Sequence, residues 1–210
     1  MKIYDVSMTI EPGIMVYKNY ESKKPIFSNA SNFDNGSHYE TDLKMNLHTG
    51  THIDAPLHMI RDGLTMEHFD LNRFLTKVRV LDLVHVSGMI SVKDLEEKAV
   101  EKGEFLLFKT KNSLENDFNN QFISLSEEGA AFLTEIGIIG VGTDGLGIER
   151  DQPEHGTHKR LFNADIMIIE GLRLRDVEEG VYDMIALPLK IADVEASPAR
   201  VVLISHKVKP

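Results

Sequence analysis

Three histidines and a carboxylate fall within eleven residues, His48-Thr49-Gly50-Thr51-His52-Ile53-Asp54-Ala55-Pro56-Leu57-His58. Imidazole nitrogen and carboxylate oxygen are the ligand set that suits zinc or manganese at a hydrolytic centre. The segment is poor helix material. Gly50, Pro56 and the β-branched Thr49, Thr51 and Ile53 disfavour a helix, and the residue before a proline avoids the α region. An extended chain puts His52 and Asp54, two apart, on one face. Gly50 allows a turn that brings His48 alongside them. His58, beyond Pro56, reaches the same pocket without having to be a ligand. A zincin helix needs Glu directly after the first His; Thr49 stands there, which excludes that mechanism.

The rest of the coordination shell has to come from elsewhere in the chain. His155-Gly156-Thr157-His158 sits in a polar stretch read as a loop, and the residues alone do not choose between its two histidines. Glu170 closes an apolar strand, and there it either has a partner or marks where the strand reaches solvent. His38, His68, His85 and His206 have no second histidine close by and read as structural or surface residues, with Glu40 and Asp70 as neighbours of the first two.

The elements that position these groups alternate between strand and helix. Strands are expected at 2–7, 42–47, 78–84, 105–108, 138–141, 166–169, 182–187 and 200–205. Ser91-Val92-Lys93-Asp94 is an acidic capping box that opens a helix with Val92, Leu95 and Ala99 on one face and Gly103 as its stop. Ser124-Leu125-Ser126-Glu127 is a second capping signal, ahead of a helix ending near Gly137. Residues 15–40 read as a long irregular loop. The glycine-rich run Gly142-Thr143-Asp144-Gly145-Leu146-Gly147 lacks phosphate-loop spacing and reads as a tight turn. No repeat or linker divides the chain, so residues 1–210 read as one α/β domain with a mixed sheet.

Composition narrows the function. Cys is absent among the 210 residues. Structural zinc relies heavily on Cys, so metal held here without any points to catalysis. The net charge of −10 disfavours nucleic acid and anionic membrane as partners. Neither a signal peptide nor an apolar run long enough to span a membrane is evident, which gives an expectation of a cytoplasmic protein acting on a small molecule.

With these residues in view, the sequence resembles the cyclase-like metal-dependent hydrolases, whose best-known members are the bacterial kynurenine formamidases. The His48–His58 segment looks like the family signature. Ile139-Gly140-Val141-Gly142-Thr143-Asp144, His158-Lys159-Arg160-Leu161-Phe162, Ile185-Ala186-Leu187-Pro188-Leu189 and Ser197-Pro198-Ala199-Arg200 extend the likeness over nearly the whole chain. The resemblance implies a swivelling α/β/β-type fold with a barrel-like mixed sheet and flanking helices, assembled as a homodimer or higher. It implies one or two divalent ions, zinc foremost and manganese as the alternative. His48, His52 and Asp54 would hold one ion, and Asp54, His158 and Glu170 the second. The family places a histidine twelve residues before the acid, which selects His158. His58 would be the catalytic acid/base and Tyr17 the substrate-binding aromatic. The family's aromatic-Pro-Gly-Asp motif is replaced here by Tyr17-Lys18-Asn19-Tyr20, and the chain has no Trp.

The activity implied is hydrolysis of an amide carbon–nitrogen bond, in an arylformamide such as N-formylkynurenine or in a cyclic amide. An esterase or lactonase using the same site is the rival enzyme. A non-catalytic metal-binding protein is the third reading, and it requires a closed coordination shell.

Overall fold

A computed structural model of the chain describes residues 1–206. Its strands are β1 (Lys2–Asp5), β2 (Ile26–Ser31), β3 (Glu40–Lys44), β4 (His52–Asp54), β5 (Leu75–Asp82) and β6 (Met89–Ile90). They continue with β7 (Phe105–Lys109), β8 (Ser124–Leu125), β9 (Gly140–Thr143), β10 (Met167–Glu170), β11 (Gly180–Pro188) and β12 (Ala196–Ser205). The α-helices are α1 (Val92–Glu97), α2 (Glu127–Ile136) and α3 (Gly156–Asn163).

The main sheet runs β12-β11-β5-β7-β9-β10-β4, and β4 pairs back onto β12 to close a barrel, with β1 added to the outside of β12. β5, β7, β9 and β10 are parallel neighbours, and the remaining pairs are antiparallel. Each parallel step needs a long crossover; one of the three helices lies in each. The sheet is therefore covered on both faces at β7, β9 and β10, which are buried nearly throughout, whereas β5, β11 and β12 alternate buried with more exposed residues. On β7, Phe105 and Leu107 point into the barrel core with Val78, Val80 and Ile169. Leu106 and Phe108 point the other way, to a second core with Leu95, Leu133, Leu161 and Ile168 beneath the helices.

Several local expectations change. Residues 15–40 are not an irregular loop: β2 pairs with β3 in an antiparallel hairpin. Both strands are exposed almost throughout, so no inward-outward alternation marked them. β3 therefore ends at Lys44 and does not run on into the histidine segment. Helix α1 stops at Glu97, because Ala99 turns the backbone left-handed at φ 46°, ahead of Gly103. Ser126, not Ser124, caps α2, accepting from the Gly129 N–H at 2.9 Å. The polar stretch holding His158 is helix α3. Its buried stripe is only Thr157, His158, Leu161 and Phe162.

The glycine-rich turn after β9 holds a buried carboxylate. Asp144 accepts from the backbone N–H and the hydroxyl of Thr110, both at 2.7 Å, and from the N–H and hydroxyl of Ser113 at 3.1 and 2.7 Å. Burial pushes its pKa up, against the pull of these four donors. An Asp144→Asn variant replaces an acceptor oxygen with a donor facing other donors. It is expected to lose about 1–3 kcal/mol of stability, read as a melting temperature lower by about 2–4 °C per kcal/mol. An unchanged melting temperature would show that these bonds contribute nothing net.

Candidate metal centre

The site lies on the outer wall of the barrel, under α3. Ile53 points into the barrel core, so its neighbours His52 and Asp54 point outward by strand alternation. In the antiparallel pairing of β4 with β10, Glu170 sits opposite His52 and Ile168 opposite Asp54. Glu170 thus shares the outward face with both ligands. Helix α3 lays His158 over them. At Gly50 the chain turns at φ +73°, and a Cβ on Gly171 (φ +71°) would lie 2.5 Å from the Gly50 oxygen. Only glycine permits that approach, which is tied further by the Thr51 hydroxyl donating to the Gly171 carbonyl at 2.6 Å.

The structure brings all five expected ligands together. Asp54 is fully buried, with Oδ1 at 3.1 Å from His48 Nδ1 and 3.4 Å from His52 Nε2, and Oδ2 at 3.6 Å from His158 Nε2. Glu170 does not reach solvent; it is buried, 3.4 Å from both His52 Nε2 and His158 Nε2. Its Oε1 also accepts from the Ile148 N–H at 2.6 Å, which places the glycine-rich turn as a brace for the site. His155 is not part of this group. It faces Glu149, with its side chain 47% exposed.

Each histidine is oriented from behind. His52 Nδ1 lies 2.9 Å from the Gly50 carbonyl, His158 Nδ1 2.9 Å from Glu149, and His48 Nε2 3.3 Å from Glu195. The Gly50 carbonyl accepts from His52 Nδ1, which fixes the proton there and turns the Nε2 lone pair into the centre; Glu149 and Glu195 stand at ion-pair distance behind the other two rings. Glu149 and Glu195 were missed in the sequence. The one hint for Glu149 was an acid six and nine residues ahead of two histidines; Glu195 gave none.

A cation fits this donor set. His52 Nε2, both Asp54 oxygens and His158 Nε2 are buried at the centre without a hydrogen-bond partner, as is His158 Nδ1 on the far side of its ring. Leaving such atoms unmatched costs about 1–3 kcal/mol each. Asp54 belongs to two sets of ligand atoms that lie within 4.8 Å of one another, one with His52 and Glu170, the other with His48 and His58. It is the residue that these two sets share.

Charge follows the same pattern. Burial opposes a charged His52, but Asp54 and Glu170 raise its pKa to about 10, and the same two carboxylates with Glu149 hold His158 well above the ordinary value. Burial and Asp54 oppose a charged Glu170, yet His158 and His52 bring it down to about 2. Protons on the two rings thus stand in for a cation, poorly, since 3.4 Å is long for a charge-assisted hydrogen bond. Below these raised pKa values the protons compete with metal. Metal binding near neutral pH is expected to release about two protons per filled centre, with affinity rising as pH rises. Calorimetry in buffers of different ionisation enthalpy reads this directly, and binding without proton release would refute it.

A cavity of about 180 Å³ opens onto the centre, lined by Tyr17, Lys23, His58, Met59, Leu146 and His155 among others. His58 ends a single 3₁₀ turn begun by Pro56, and its ring centroid lies 4.1 Å from that of His48. Burial pushes its pKa down to about 4; Asp54 opposes this, and His48 and His158 add to it. The ring is neutral at physiological pH. The other four histidines, His38, His68, His85 and His206, are exposed.

A closed mixed barrel with a histidine–carboxylate centre beside an open cavity defines a metal-site fold of hydrolytic type. The chain belongs to the Cyclase family, whose model matches residues 4–150. It is 33% identical to a kynurenine formamidase of Erythrobacter litoralis over 205 residues, 96% of this chain and 93% of that one. It is 48% identical to a solved structure described as a predicted metal-dependent hydrolase from Bacillus stearothermophilus, with a TM-score of 0.88 over 96% of this chain and 97% of that one. Isatin hydrolase A from Ralstonia solanacearum shares the fold at 21% identity, with a TM-score of 0.84 over 97% and 92%. No helix among the described residues is long and apolar enough to cross a membrane.

Proposed function

We propose that this chain is a metal-dependent hydrolase of amide carbon–nitrogen bonds, acting on an arylformamide or a cyclic amide. The observation that carries this reading is the set of four buried, unmatched donor atoms converging beside an open cavity that also holds a neutral histidine. His48, His52 and Asp54 hold one divalent ion, and Asp54, His158 and Glu170 a second, with zinc first and manganese as the alternative. When bound, the ion supplies Lewis acidity, acidifying water and polarising a carbonyl. His58 accepts the proton that water loses on attacking the carbonyl and returns it to the leaving nitrogen. Its low pKa means that it starts as a base. Tyr17, at the cavity wall, packs on the aryl part of the substrate.

The open cavity disfavours a purely structural metal site. The exposed hairpin favours self-association. Phe27, Phe33, Tyr39 and Leu43 are 40%, 75%, 65% and 48% exposed, and a two-stranded hairpin is marginal without support. A homodimer or larger assembly would cover it, and light scattering on the purified protein tests this.

The deciding experiment strips the metal with a chelator, verifies its loss, and restores zinc or manganese. Formanilides, lactams and matched aryl esters are assayed at each stage. Amide hydrolysis that disappears and returns with metal is the expected result. Unchanged rates after verified removal would overturn the reading, and turnover of esters alone would transfer it to the esterase class.

A further inference from the structure

A second cavity, of about 570 Å³, adjoins the metal pocket, and Tyr17 and His155 line both. Tyr17, Phe118 and Phe122 meet at its wall as three tilted rings, with centroids 5.3, 5.9 and 6.2 Å apart. Lys18 and Arg150 bring positive charge to the same cavity. The side chain of Arg150 is only 10% exposed. Its Nε lies 3.2 Å from Asp151 Oδ2, and its guanidinium sits 5.9 Å from the Phe122 ring centroid. Its Nε and Nη1 are both buried with no hydrogen-bond partner among the described residues, so Asp151 stands at ion-pair distance without completing either donor.

A buried guanidinium with an unmatched donor is costly unless an anion completes it. Asp151 offsets the charge only in part, because it lies near Nε without hydrogen-bonding it and is itself 77% exposed. Planar anions with two oxygens match the guanidinium fork best. The aromatic wall of this cavity, joined to the metal pocket through Tyr17, suits a flat ring. We propose that the substrate is an aryl amide whose ring carries a carboxylate, bound by Arg150 with help from Lys18, while the amide occupies the metal pocket. This rests on the amide-hydrolase reading above and adds the anionic group and the residues that select it.

The test compares 4-formamidobenzoate with formanilide, which differ by the carboxylate. The wild-type enzyme is expected to favour the carboxylate by about 10–100-fold in kcat/KM, the range of a hydrogen bond to a charged group. Arg150→Gln should bring that ratio close to one, mainly through KM. Should Arg150→Gln fail to fold, Lys18→Gln, at an exposed position, should lower the ratio by a few fold, and added salt should lower it further. A wild-type ratio near one, with formanilide hydrolysed, would overturn the anion site and leave amide hydrolysis standing. Equal ratios in wild type and a folded Arg150→Gln would overturn it as well. If neither amide is hydrolysed, the lactam assay above decides the amide-hydrolase reading, and calorimetry with 4-formamidobenzoate and formanilide decides the anion site alone. Binding of the carboxylate that is lost in Arg150→Gln supports the site; no binding at millimolar concentration refutes it.

Discussion

A His58→Ala variant is expected to hold as much metal as the wild-type chain while its turnover on amides falls about 10²–10⁴-fold, roughly 2.7–5.4 kcal/mol. The ring lies beside both His48 and His158, with centroids 4.1 and 5.6 Å away. That proximity gives it two conceivable roles, proton carrier or ligand, since it also falls within reach of a cation held by His48 and Asp54. The roles separate experimentally. A carrier matters most when the leaving nitrogen needs a proton, so the loss should shrink for an activated aryl ester. A ligand would take metal content down with it, and all substrates would lose rate together. Full metal with wild-type amide turnover would remove His58 from both roles.

Asp54→Asn should be the more damaging change for metal retention. Asp54 contacts His48, His52 and His158 and is fully buried. Asn keeps the shape but loses the charge, in a site where protein oxygens must balance a dication. Removing one partner of a buried charge cluster costs about 3–5 kcal/mol, so metal affinity should weaken by about 10²-fold or more. The comparison variant is His155→Ala. His155 touches Glu149 rather than Asp54 or Glu170, so its metal content should stay near wild type. Metal analysis after dialysis reads both variants, and equal losses would mean that the second ion is held differently from this assignment.

The ligand segment was legible because its chemistry is local. Strand alternation alone faces His52 and Asp54 the same way, and a glycine turn suffices to add His48. Selecting His158 over His155 needed the family resemblance, because the few apolar residues of α3 gave that helix no clear periodicity. Glu149 left only the weak hint of its spacing to the two histidines, because it matters only once α3 settles over the barrel wall. The hairpin escaped detection because strands exposed on both faces carry no alternating pattern. Barrel closure rests on β4, three residues long, pairing with strands far along the chain. No local signal encodes that.

This closure also sets an order of events in time. Residues 52–54 are complete early in synthesis, yet their hydrogen-bonding partners are residues 168–170 and 196–198. Contacts so distant in sequence form late and slowly. While residues 52–54 stand alone, His48, His52 and Asp54 lack Glu170 and His158 beside them, so on the proposed ligand assignment the full donor set exists only once β10 and β12 have paired with β4. A centre built this way is completed by the last pairing of the barrel, not by the segment that holds most of its histidines.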